Sequence, residues 1–78
     1  MIKAYVLVVT DPGATRRVAL VLKTIDRVVT VHEVMGPYDI VVEIETDSLT
    51  DITPILADRI RTLDGIQSTT SLVALPAD

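Results

Sequence analysis

The chain has 78 residues, no cysteine, two tyrosines as its only aromatic residues, and a formal net charge of −4 from 7 basic and 11 acidic residues. These values exclude a disulfide framework or a thiolate zinc centre, and scattered basic residues without stacking aromatics argue against direct nucleic-acid binding. No apolar run approaches the length that spans a membrane, so no membrane contact is expected. The lack of cysteine and of a signal peptide fits one cytoplasmic domain over residues 1–78.

The first third of the chain predicts a strand followed by a helix. Residues 2–10 are mostly apolar and β-branched, which favours a strand. Asp11-Pro12-Gly13 then interrupts it, where Asp11 predicts an N-cap, Pro12 the first helical position, and Thr15 a competing cap. Apolar residues at helical spacing predict a helix that ends near Asp26. Its buried side is expected to carry Ala14, Val18, Val21, Leu22 and Ile25.

The middle of the chain predicts a β-hairpin. Residues 28–35 and 39–45 favour strands, and the sequence Gly36-Pro37-Tyr38-Asp39 that joins them is typical of a tight turn. Gly36 adopts backbone angles that other residues avoid, and Pro37 fixes its own φ. Such a turn offers backbone N–H and C=O groups and one carboxylate. These groups are the ones needed to hold a small zwitterion, so we expect a binding site here.

The last third of the chain predicts a helix and a fourth strand. Residues 46–48 are typical of a turn, and the helix after them is expected to bury one apolar side. That side consists of Leu49, Ile52, Ile55, Leu56, Ile60 and Leu63. Because Pro54 would delete a hydrogen bond inside a helix, regular helix is expected only from about Thr53. Gly65 predicts a left-handed C-cap, and residues 69–75 predict the last strand, which ends at Pro76.

The element order βαββαβ predicts the α+β ferredoxin-like fold, a four-stranded antiparallel sheet with both helices on one face. Side chains alternate along the first strand, yet both of its faces are apolar. One face carries Ile2, Ala4, Val6 and Val8, and the other carries Tyr5, Leu7 and Val9. Since two helices cover only one face, we expect a second copy to cover the other in a symmetric dimer joined through the sheet.

Several of these segments together resemble one family. They are Ala4-Tyr5-Val6-Leu7-Val8, Gly36-Pro37-Tyr38-Asp39-Ile40, the helix over 49–63, Asp64-Gly65-Ile66, and Ser68-Thr69-Thr70-Ser71-Leu72-Val73. The sequence resembles the effector domain of the leucine-responsive regulator (Lrp/AsnC) family. That module is named RAM, for regulation of amino-acid metabolism. Family members usually carry an N-terminal helix-turn-helix, whereas this sequence resembles a stand-alone effector domain.

The resemblance implies a non-catalytic sensor without a cofactor. It implies a homodimer, often assembled into larger rings of dimers, that binds an amino acid or a similar small effector between protomers near the Gly-x-x-Asp turn. Its output would be a changed assembly state or transcriptional regulation through a partner, such as a full-length Lrp/AsnC regulator. Sequence-specific DNA binding does not transfer to this chain.

Three groups of residues are candidates to line the ligand site. Gly36, Pro37, Tyr38 and Asp39 supply turn N–H groups for a carboxylate and an acid for an ammonium group, although Asp39 in a hairpin also serves simply to cap the backbone. Thr69, Thr70 and Ser71, next to Ser68, supply hydroxyls that complete the pocket from a second copy, or are ordinary strand residues. His32 lies beside the turn and lines the pocket, or is a structural residue.

Other readings of the sequence remain open. One is an ACT-type amino-acid-binding regulatory domain, which has the same element order and holds its ligand at a loop such as Asp11-Pro12-Gly13. Another is a small dimeric ferredoxin-like enzyme using His32 or a tyrosine, but a single histidine without a paired nucleophile gives it little support. A third is an assembly module without a ligand. The pair Arg16-Arg17 is read as a solvated surface or an anion contact, and one histidine does not make a metal site.

Overall fold

The computed structural model of the chain describes residues 1–75 and confirms the predicted βαββαβ order. The four strands are β1 (Ile2–Thr10), β2 (Val28–Glu33), β3 (Ile40–Thr46) and β4 (Ile66–Val73). Helix α1 (Thr15–Leu22) joins β1 to β2, and a second helical segment over residues 49–60 joins β3 to β4. Within the described residues, no helix is long and apolar enough to cross a membrane.

The four strands form one antiparallel sheet in the order β2-β3-β1-β4. Strand β1 lies in the middle, where Val8 pairs with Ile40 of β3 on one side and with Thr69 of β4 on the other. The strand order and the two helical segments give the ferredoxin-like fold that the sequence predicts.

The core lies between the sheet and the helices. On β1, Ala4, Val6 and Val8 are 0% exposed, while the residues between them are only half-buried. Burial alternates in the same way on β3. Helical residues complete the core from the other side, and these are Ala14, Val18, Ala19, Leu22, Ile52, Leu56 and Ile60. The helix-facing side of the sheet is therefore the buried one.

Helix α1 begins later and ends earlier than the sequence predicts. Gly13 has a φ of +82°, which is outside the helical region, and the N–H of Ala14 donates to the carbonyl of Asp11 in a turn. The prediction that Asp11 caps the helix and Pro12 occupies its first position is therefore wrong. The helix also stops at Leu22 instead of continuing to Asp26. The prediction that Val21 lies on the buried side is wrong, because Val21 is 39% exposed.

The second helical segment is irregular on both sides of Pro54. It consists of a 3₁₀ turn (Leu49–Asp51), a short α-helical turn (Ile52–Pro54) and a π-helical stretch (Ile55–Ile60). The N–H of Arg61 donates to the carbonyl of Leu56, five residues earlier, at 2.9 Å. The irregular turn before Pro54 is as predicted, because proline lacks the N–H that a helix needs there. The expectation of regular helix from about Thr53 is wrong, because a π-helical stretch follows Pro54. The expectation that Leu49 is buried is wrong, because it is 58% exposed.

Gly65 separates the second helical segment from β4. Its φ of +99° confirms the predicted left-handed conformation, and its carbonyl accepts a hydrogen bond from the N–H of Asp11 at 2.8 Å. Strand β4 starts at Ile66, earlier than predicted, and ends at Val73. The predicted stop at Pro76 lies outside the described residues.

Candidate functional site

The predicted hairpin connects β2 to β3. Their last strand pair is Glu33 with Ile40, and beyond it the N–H of Val34 donates to the carbonyl of Asp39 at 2.9 Å. Residues 35–38 form the tip, so β2 is two residues shorter than predicted and Asp39 lies at the base of the loop. Gly36 has a φ of +136°, which only glycine adopts easily.

The tip presents backbone groups to solvent. Met35, Gly36 and Pro37 are exposed, and Tyr38 is half-buried. Among residues 1–75, the N–H groups of Gly36 and Tyr38 make no hydrogen bond to another backbone group. Backbone N–H groups left without such a bond in a turn are able to donate to an anion such as a carboxylate.

Asp39 is held on the end of β1 by its main chain and its side chain. Its N–H donates to the carbonyl of Val8 at 2.9 Å. Its Oδ2 accepts the N–H of Thr10 at 2.8 Å and the hydroxyl of Thr10 at 3.3 Å. In the folded protomer, the carboxylate of Asp39 therefore caps a backbone N–H group, that of Thr10.

A pair of threonine hydroxyls extends this network to α1. The Oγ1 atoms of Thr10 and Thr15 are 2.6 Å apart, and Thr10 is only 5% exposed. Thr10 is not among the site residues that the sequence predicts. A signal was available, because alternation along β1 places Thr10 on the same face as Val8, and a buried hydroxyl requires a hydrogen-bond partner.

The hydroxyl residues of β4 lie on two different faces of the sheet. Thr69 is opposite Val8 and Ser71 is opposite Val6, so both face the helices. Thr70 is opposite Leu7 and faces the open side. Oγ of Ser71 is buried and has no hydrogen-bond partner among the described residues.

His32 and Thr70 belong to the same row on the open side of the sheet. The row runs from His32 on β2 through Val41 and Leu7 to Thr70 on β4. Neighbouring strands are about 4.8 Å apart, so the two ends of the row are too far apart to share a small ligand. One protomer therefore does not gather the candidate residues into one pocket.

Two arginines that follow the β1–α1 loop make local contacts. Arg16 forms an ion pair with Glu33 at the end of β2, and Nη1 of Arg17 donates to the carbonyl of Asp64 at 3.2 Å. On the open face, Nζ of Lys3 lies 3.7 Å from Oε2 of Glu43. Within residues 1–75, no group of three or more histidine or acidic residues is arranged to hold a metal ion.

A shallow apolar pocket lies at the opposite end of the sheet. It has a volume of about 190 Å³ and is lined by Met1, Ile2, Lys3, Ala74 and Leu75. None of the candidate site residues contributes to it. This pocket is therefore separate from the site that the sequence predicts.

Comparison with known proteins identifies a family and close structural neighbours. A sequence model described as the Lrp/AsnC ligand binding domain matches residues 3–77. The crystal structure of FFRP-DM1 is 35% identical and superimposes with a TM-score of 0.91, covering 96% of this chain and 100% of that protein. A hypothetical protein from Pyrococcus horikoshii is 34% identical with a TM-score of 0.91, covering 99% of this chain and 93% of the other.

A longer regulator contains the same fold. The transcriptional regulator of Neisseria meningitidis, solved as a complex with L-methionine, is 16% identical with a TM-score of 0.84. The match covers 96% of this chain but 50% of the regulator. No protein with a curated description matches the chain.

Proposed function

Because the chain belongs to the Lrp/AsnC ligand-binding domain family, we propose that it is a non-catalytic sensor that binds an amino acid between subunits. The family match over residues 3–77 carries this proposal. The L-methionine complex of the Neisseria meningitidis regulator supports an amino acid as the ligand class, since that protein contains the same fold. The absence of a paired nucleophile and base among the candidate residues supports binding over catalysis.

The open face of the sheet supports dimerisation. Its centre is apolar, with Tyr5, Leu7 and Val9 on β1 and Val41 on β3 all half-buried in the protomer. Leu72, opposite Tyr5 on β4, is 51% exposed. Covering this surface with a second copy removes apolar area from water at about 25 cal/mol per Å², before the costs of association.

The ligand site is proposed at the hairpin end of this dimer. The free N–H groups of Gly36 and Tyr38 bind the carboxylate of the amino acid, and Pro37 restricts the conformation of the tip. Hydroxyls of a second copy complete the pocket. Thr70 is the best placed of them, because Thr69 and Ser71 face the helices of their own protomer.

Ligand binding changes the assembly state of the protein or the activity of a partner protein. A ligand shifts an equilibrium only by the difference between its affinities for the two states. A site shared between subunits supplies that difference, since it is complete in only one state of assembly. We propose that dimers associate further, and that the regulated partner is a full-length Lrp/AsnC regulator.

Thermal melting with each of the twenty amino acids tests this function. An amino acid at about a hundred times its dissociation constant should stabilise the protein by about 2.7 kcal/mol. Gly36→Ala should weaken the response, because Ala disfavours the φ of +136° that presents the tip. Gly13→Ala is the matched control, since Gly13 also has a positive φ and open space around its α-carbon.

Each outcome of this experiment is informative. No shift with any amino acid at millimolar concentration would contradict amino-acid sensing. Loss of the response in Gly13→Ala, with Gly36→Ala unaffected, would move the site to the Asp11-Pro12-Gly13 loop, as in an ACT-type domain. Sedimentation with and without the stabilising amino acid then shows whether binding changes the assembly.

A further inference from the structure

We infer that Asp39 is a positioning residue of the proposed ligand site, and that its carboxylate holds the hairpin on β1 instead of pairing with the ammonium group of the ligand. The inference rests on the proposed function for the ligand, but its structural half stands on contacts within one protomer. It reverses the role that the turn sequence suggests for this acid.

Asp39 brackets Val9 with two hydrogen bonds. Its N–H donates to the carbonyl of Val8, and its Oδ2 accepts the N–H of Thr10, at 2.9 and 2.8 Å. Its own carbonyl accepts the N–H of Val34 from the other side of the loop. One residue thus joins both ends of the hairpin loop to the end of the central strand.

The N–H of Thr10 requires this acceptor. The pairing of β1 with β3 ends at Val8 with Ile40, and the N–H of Thr10, which faces the β3 side like the carbonyl of Val8, lies beyond this last pair. Thr10 is 5% exposed, which keeps water from replacing a lost partner easily. The carboxylate of Asp39 therefore satisfies a buried donor that the sheet leaves without a regular partner.

The same oxygen connects the hairpin to helix α1. The hydroxyl of Thr10 also lies 3.3 Å from Oδ2 of Asp39 and 2.6 Å from Oγ1 of Thr15, the first residue of α1. The position of the hairpin tip, with the N–H groups of Gly36 and Tyr38, is thereby fixed to the body of the domain. Asp39 acts on the ligand through the tip that it positions.

Two substitutions of Asp39 separate positioning from charge pairing. In Asp39→Asn, the amide oxygen still accepts the Thr10 N–H, but the negative charge is lost and an NH₂ group replaces the second oxygen. In Asp39→Glu, the charge remains, but the longer side chain displaces the carboxylate from Thr10. Asp26→Asn is the control, because it removes the same charge from a side chain that is 97% exposed.

The readouts are hydrogen exchange at the Thr10 amide and thermal stabilisation by the twenty amino acids. Positioning predicts that Asp39→Asn keeps the protection of Thr10 and binds within about threefold of wild type, while Asp39→Glu loses protection and binds about tenfold more weakly. Asp26→Asn should match wild type in both measurements.

Three outcomes would overturn the inference. Unchanged Thr10 protection in Asp39→Glu would show that the carboxylate does not hold the strand. Lost binding in Asp39→Asn with protection intact would show that the charge contacts the ligand, and so would normal binding in Asp39→Glu. If wild type responds to no amino acid, the proposed function fails, whereas the exchange data still decide whether Asp39 positions the hairpin.

Discussion

The two faces of the sheet are built from similar residues but have different surroundings. On β1, Ala4, Val6 and Val8 are 0% exposed beneath the helices, whereas their neighbours Tyr5 and Leu7 stay half-buried. Alternation gives both faces apolar side chains, so composition alone does not tell them apart. One face is therefore covered within the protomer, and the other is the face that the proposed second copy would cover.

The largest expected effect is the loss of unfolding free energy when a side chain on the helix side of the sheet is shortened, compared with one on the open face. Ile44 is 0% exposed on the helix side of β3, so Ile44→Ala should lower the free energy of unfolding by about 2–5 kcal/mol by leaving a cavity. Val41→Ala is the comparison on the open face of the same strand. Urea unfolding at several protein concentrations checks both variants, because the stability of a dimer depends on concentration.

The Ile44→Ala loss should be the same at every protein concentration. The Val41→Ala loss should shrink on dilution, as the proposed dimer dissociates and Val41 returns to solvent. A Val41→Ala loss that is large and independent of concentration would show that both faces are buried within one protomer.

The next effect concerns association. Leu7 lies at the centre of the open face, and Leu7→Lys would place a charge in the proposed interface. The dimer dissociation constant should rise by about 30-fold or more, which corresponds to about 2 kcal/mol. Sedimentation velocity measures this change, with Leu49→Lys as the control because Leu49 is an exposed leucine on the helical side. A Leu7→Lys protein that still sediments like wild type would contradict a sheet-to-sheet dimer.

Most of the fold could be predicted from the sequence because its signals are local. Period-two apolar patterns set the strands, Pro54 marks the irregular start of the second helical segment, and Gly65 marks the passage into β4. The start of α1 could not be predicted in the same way. Asp11-Pro12-Gly13 fits a helix cap and a turn equally well, and the turn forms together with a bond from Asp11 to the distant Gly65.

The candidate site could be predicted only in part, for a related reason. The hairpin followed from Gly36 and Pro37 and the strands beside them. The partner of Asp39 did not, because Thr10 belongs to another strand and its N–H needs an acceptor only because the pairing of β1 with β3 ends at Val8. The split of Thr69 and Thr70 between two faces likewise depends on the pairing of β4 with β1.

A smaller effect tests how tightly the helix side is packed. A β-carbon added at Gly65 would lie 3.0 Å from Cγ2 of Val18 and 3.2 Å from Cβ of Ala14, whereas one added at Gly13 meets open space. Both positions have positive φ, so Gly13→Ala should cost about 1–2 kcal/mol from backbone strain alone. Gly65→Ala should cost about 1 kcal/mol more, because its neighbours must move. Chemical denaturation measures the free energy of unfolding of both variants. Equal losses of stability would show that α1 moves to accommodate the new methyl group without a measurable loss of stability.

The smallest effect lies in the ion pair between Lys3 and Glu43 on the open face. Their side chains are 49% and 20% exposed, so in a dissociated protomer Lys3→Ala should change stability by no more than about 0.5 kcal/mol. In the proposed dimer the same change leaves Glu43 with less water and no cation, which should weaken association measurably. Arg16→Ala is the control, since the pair of Arg16 with Glu33 lies outside that face and is well exposed. Sedimentation equilibrium should therefore show weaker association for Lys3→Ala and unchanged association for Arg16→Ala. Equal association of the two variants would indicate that the open face stays in water.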